Sequence, residues 1–177
     1  MLRLRVPRYL PDLPLPAYAF VPGLWPHPHR PGGHAHGQAP VESTVLDAAK
    51  PRSCRAFLRG LDLFNHGYYW EAHESWEALW RDAQDLATKA LLQGLIRLAA
   101  AGVKLRQGLP DNVRSHAEAA RRLFLQAQER AGSPTLCGLD LAGLLALADH
   151  VITQPAPRAA QDAVAVRVVF SSPLRLS

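Results

Sequence analysis

The residues best equipped for chemistry sit in one short run, Tyr68-Tyr69-Trp70-Glu71-Ala72-His73-Glu74-Ser75-Trp76-Glu77-Ala78-Leu79-Trp80-Arg81. His73 and Glu77 are four apart, so on a helix their side chains meet on one face. His73-Glu74-x-x-Glu77 is one ligand away from the zinc-hydrolase pattern His-Glu-x-x-His. There the i, i+4 pair holds the ion and the intervening glutamate is the base. Glutamate is an acceptable second ligand, which makes His73 and Glu77 candidate ligands of a divalent metal ion and Glu74 a candidate catalytic base. On a helical wheel Trp76, Tyr69, Trp80 and His73 share an arc, continued by Glu77, Trp70, Arg81 and Glu74. Glu71, Ser75 and Ala78 fall opposite. The aromatic arc is the expected buried face. It carries an imidazole and acids, and burying an unpartnered carboxylate costs several kcal/mol.

Something must therefore answer these groups. Gln93, Arg97 and Lys104 line one stripe of the next helix, and with Asn65 they could satisfy the carboxylates as a purely structural network. The same donors equally suit a binding pocket, with Trp70, Trp80 and Arg81 around it. Asn65 itself is expected to cap or tie the turn into this helix, since asparagine favours local backbone, or else to reach Glu74. A second histidine source lies upstream in Trp25-Pro-His27-Pro-His29-Arg-Pro-Gly-Gly-His34-Ala-His36-Gly37, which holds half of the eight histidines. In an extended segment i and i+2 share a face, so each His-x-His pair offers two imidazoles to one ion. Such tracts are also often merely exposed. A third reading folds this arm over the helix, so that His27 or His34 completes a pocket with His73 and Glu77, and Gly32-Gly33 permits the turn. His116 and His150 read as lone histidines on or near amphipathic helix surfaces.

The elements that must position these groups are helical. Cys54, Phe57, Leu58, Leu61 and Phe64 recur at helical spacing, after Pro51 and before Gly67. Further helices are expected over about 68–81, 86–107, 111–130 and 139–152, the last led by Ser133-Pro134 as cap and first turn. Short connections favour antiparallel neighbours. Ten of the fifteen prolines lie in residues 1–51. They forbid a long helix there, yet Tyr9, Tyr18, Phe20 and Trp25 are apolar anchors, so the arm is expected to lie extended on the body. Met1–Val6 and Val164–Phe170 alternate at period 2 and are expected to be short strands able to pair. The fold expected is all-α: a single antiparallel bundle of about five helices at 52–154, a proline-rich arm at 1–51, and a tail at 155–177 with one short strand.

Composition narrows the function. The chain has 177 residues, 48% of them apolar, enough for a core at this length. There is no run of about 18 consecutive apolar residues, so no membrane span is expected, and the proline-studded start does not read as a secretory signal. Cys54 and Cys137 form no metal or disulfide spacing, which points to a reducing, cytoplasmic setting. Net charge is +5, with the excess in residues 1–60, where eight basic side chains meet three acidic ones. No basic run or stripe forms, so nucleic acid is not an expected partner.

The stretch Leu63-Phe64-Asn65-His66-Gly67 continuing to Arg81 resembles the signature of the domain of unknown function 309 family. Leu91-Leu92-Gln93-Gly94-Leu95-Ile96-Arg97-Leu98-Ala99-Ala100 is similar to that family's second block. The likeness covers roughly 53–130, and Pro16–Gly23 through His34 is similar to the arm of extended members. Family members are small, all-helical and prokaryotic, so the resemblance implies a fold and a site but no reaction. The family often has glutamine at the position of Arg97, which changes the charge facing Glu74 or Glu77. Its usual Gly-Asn turn is here Gly108-Leu-Pro-Asp-Asn112.

Three functions fit. The preferred one is a binding module whose His/Glu pocket takes a small molecule or a partner segment. The second is a metal-dependent, hydrolase-like enzyme using His73, Glu77 and Glu74, with His27 or His34 as further ligands. The third is a structural cluster in an interaction protein, such as a homodimer.

Overall fold

The computed structural model describes residues 6–39, 45–154 and 164–177. A 3-10 turn at Pro51–Ser53 leads into α1 (Arg55–Asn65), followed by α2 (Tyr69–Asp82), α3 (Leu86–Arg106), α4 (Pro110–Ala131) and α5 (Leu141–Thr153). The all-α five-helix bundle expected from periodicity is what forms. Each helix packs on its predecessor, with α3 against α4 as the most extensive interface. Asp85 caps α3 by accepting from Thr88 N, and Asp140 caps α5 by accepting from Ala142 N and Gly143 N. Such caps satisfy amides that the first helical turn leaves without partners.

Close approach is bought with glycine. A Cβ on Gly60 would stand 2.1 Å from Trp76 Nε1, and one on Gly102 would stand 2.7 Å from the Tyr69 ring. Trp76 and Tyr69 thus sink into α1 and α3, and both are fully buried. Burying such rings contributes about 2–3 kcal/mol each. α3 has the length and mean hydropathy, 1.3, of a membrane span, although its apolar residues form no unbroken run of that length. Of its most apolar window 72% is buried inside the protein, so its apolar faces are consumed by helix packing.

Two local expectations are corrected. α5 does not start from Ser133-Pro134. Those residues lead into a hairpin, β1 (Thr135–Leu136) with β2 (Leu139–Asp140), paired antiparallel. Its two-residue turn puts Cys137 at φ +49° and Gly138 at φ +73°, the left-handed pair that a tight hairpin needs. Val164–Phe170 forms no strand. Its backbone groups are held by a side chain and by the arm, as described below, and the tail's bridge is instead Leu176 to Leu139. Of the Met1–Val6 strand, residues 1–5 lie outside the described residues.

Candidate functional site

The α1–α2 hairpin grips two extended segments. Asp62, fully buried, accepts from Tyr9 N and Leu10 N, both at 2.8 Å. Glu71 Oε1 accepts from Phe20 N at 2.9 Å and from His34 Nε2 at 2.8 Å. Asn65 pairs with both backbone groups of Leu174, at 2.8 and 2.7 Å. The Tyr69 hydroxyl accepts from Val169 N at 2.9 Å and Phe170 N at 3.4 Å. Tyr68 donates to Pro16 O, and Arg59 to Pro14 O. Arm and tail touch each other where Ala19 N donates to Ala165 O. Burial pushes the Tyr69 phenol up to about 12, because no water reaches it to stabilise the phenolate.

These contacts revise the reading of several residues. Asn65 neither caps the turn nor reaches Glu74; it fastens the tail. Glu71, placed opposite the aromatic arc on the wheel, is buried. The buried face of α2 is Tyr69, Ala72, Trp76 and Leu79, and the arm covers a second side at Trp70 and Glu71. A wheel assumes one core, whereas α2 is covered from two directions.

The other face of α2 carries the candidate site. Trp70, His73, Glu77 and Trp80, at i, i+3, i+7 and i+10, form a half-buried stripe. The Trp70 and His73 rings stack at 6.0 Å, and His73 Nε2 stands 3.7 Å from Glu77 Oε2. Glu74 meets the arm, with its carboxylate 3.0 Å from His29 Nε2. His27 packs edge-on to Phe20 and Trp70. Lys89 sits over the Trp80 ring at 5.5 Å. Burial lowers the His73 pKa, against the raising pull of Glu77 and Glu74 and with a smaller lowering by Arg97. His116 is lowered likewise by burial, then by Arg97, Lys104 and His73. Both imidazoles are therefore favoured as neutral rings.

The arm does fold over α2, but its histidines go elsewhere than His73 and Glu77. His34 goes to Glu71 and His29 to Glu74, while His27 joins the aromatic packing. Among the described residues no group of three or more His, Cys, Asp or Glu side chains gathers into a metal-binding cluster. The expected donors do not satisfy the carboxylates either. Gln93 and Arg97 bond to neither, and Lys104 Nζ donates to Gln107 Oε1. Arg81 is exposed. A separate groove of about 430 Å³ lies between α5 and the tail, lined by Leu144, Leu147, His150, Ser171, Leu174 and Arg175 among others. The helical wheel gave no role to Asp62 and placed Glu71 on the wrong side. Asp62 left one signal: a charge inside the apolar run Leu61–Phe64.

Fold and site together define a small all-helical protein whose second helix bears a histidine–glutamate stripe under an extended arm. Residues 57–115 match the family model described as Domain of unknown function (DUF309). The matched stretch runs from Phe57 in α1 through α2 and α3 to the start of α4. Comparison with curated proteins and with solved structures finds no match.

Proposed function

We propose that the protein is a small-ligand binding module and that the stripe Trp70–His73–Glu77–Trp80 is its binding surface. One observation carries the reading. The buried polar side chains of the α1–α2 hairpin bond to arm or tail, whereas His73 and Glu77 stay half-buried with only each other at 3.7 Å. Aromatic side chains with a few convergent polar groups are the usual lining of a small-molecule site. The indole N–H groups of Trp70 and Trp80 are buried without a hydrogen-bond partner among the described residues.

The test is a titration of the full chain with a panel of small carboxylates, phosphates and amines, read by tryptophan fluorescence. His73→Ala is expected to keep the wild-type melting temperature and lose the response. A large fall in melting temperature with no binder found would instead favour a structural cluster.

The metal-dependent hydrolase has one observation in its favour. A neutral imidazole beside a carboxylate is the state in which both bind an ion. Near-stoichiometric zinc, iron or manganese in untagged protein would establish that reading; its absence after metal-supplemented growth removes it.

A further inference from the structure

The stripe runs alongside a second set of donors on α3. Two contacts fix how α2 and α3 run past each other: Tyr69 packs on Gly102, and Trp80 lies under Lys89. The helices are antiparallel, and counting inward from both contacts brings His73 level with Arg97 and Glu77 level with Gln93. α4 adds His116, which feels both Arg97 and His73. The register thus sets His73 of α2 beside Arg97 of α3, and His116 of α4 lies within electrostatic reach of both.

Their surroundings are unbalanced. On α2, Glu77 attends His73, and Glu74 is engaged by His29 of the arm. On α3, Lys104 adds a further positive charge near His116. Arg97 forms no ion pair or hydrogen bond among the described residues. No carboxylate is among the groups that act on His116. The carboxylates Glu77 and Glu74 act on His73, whereas the charged groups acting on His116 are Arg97, Lys104 and His73, so an anion on the His116 side of Arg97 relieves the repulsion there.

We infer that His73, Arg97 and His116 form an oxyanion subsite that takes the carboxylate or phosphate group of a small ligand. This rests on the binding surface proposed above and names its ligand class. Arginine offers a planar fork matched to two oxygens of either group, and each imidazole offers a ring N–H. The Trp70 face, stacked on His73, is positioned for the body of the same ligand.

The experiment uses the full chain and follows the ring protons of His73 and His116 by NMR during separate titrations with inorganic phosphate, acetate and methylammonium. Phosphate or acetate is expected to move both histidines and to raise the pH midpoint of each, because a bound anion favours the imidazolium. The two anions, run apart, show which group the subsite prefers. Arg97→Gln, an exposed position, should keep its helical circular dichroism and weaken anion binding about tenfold, the loss of one charge-assisted pair. Histidines that ignore both anions, or a response that survives Arg97→Gln unchanged, overturn the subsite. A response to methylammonium alone overturns it too, while leaving the Trp70–His73–Glu77–Trp80 surface standing.

Discussion

α2 has two polar faces that differ in what their side chains bond, although Glu71 Oε2 on the first is buried without a hydrogen-bond partner among the described residues. Toward the arm and tail, Glu71 and Tyr69, with Asp62 and Asn65 of α1, are buried and spend hydrogen bonds on backbone amides of extended chain. Toward α3 and α4, His73 and Glu77 stay half-buried and make no bond to the backbone beyond their own helix. A polar group that is buried must be answered within the fold, because water is absent. One left half-open can be answered by something else. The first face is therefore architecture and the second is the place to look for function, although both lie within one stretch of family signature.

The comparison breaks most directly at Asp62. Removing its carboxylate in Asp62→Ala orphans the amides of Tyr9 and Leu10, and charge-assisted bonds of this kind are worth about 1.5–3 kcal/mol each. A loss of about 3–5 kcal/mol is expected by urea denaturation, with the arm becoming protease-sensitive. Asn65→Ala should cost about 2–3 kcal/mol through the tail. If either variant loses less than about 1 kcal/mol, the gripping face is not structural in the sense argued.

Why the sequence disclosed one face and not the other follows from what periodicity measures. Five helices were legible because Leu, Ala and Phe at helical spacing report a single buried stripe, and Pro110, Gly67 and Gly132 mark ends where the observed helices begin or stop. His73, Glu77 and Trp70 were legible as a cluster because i, i+3 and i+4 neighbours are local. The role of Glu71 was not, because its partners Phe20 and His34 are 51 and 37 residues away. Long-range backbone-to-side-chain bonds leave no periodic trace. The same holds for Val164–Phe170, whose alternation suggested a strand partner. Its amides at Val169 and Phe170 are answered by a tyrosine hydroxyl instead.

Tyr69 sharpens the comparison through pH. Its phenol is held at about 12 against an ordinary value near 10. The unfolded chain loses that proton first as pH rises, so this stabilisation is complete below about 10 and disappears between about 10 and 12. Tyr69→Phe should cost about 1–2 kcal/mol at neutral pH, by orphaning two tail amides, and should flatten the alkaline limb of stability. An alkaline limb unchanged in Tyr69→Phe would assign the lost proton to another group.

The open face predicts the smaller effects. His73→Ala should change stability by less than about 1 kcal/mol, since the ring is half-buried and holds no backbone group. A loss as large as that of Asn65→Ala would move His73 to the structural side and end the distinction between the faces.

The last test follows from His73 and His116, both lowered chiefly by burial, His73 against the raising pull of Glu77 and Glu74 and His116 with further lowering by Arg97, Lys104 and His73. Below about 6.5 the unfolded histidines take up protons that the folded ones refuse, so stability is full above that pH and declines as pH falls toward the folded values. The double variant His73→Ala with His116→Ala should show a shallower acid decline than wild type. Gripping-face variants such as Tyr69→Phe should keep the wild-type acid slope, because Tyr69 does not titrate there. If the double variant declines as steeply as wild type, the protons enter elsewhere, and the half-open face is not the part of the molecule held short of its preferred charge.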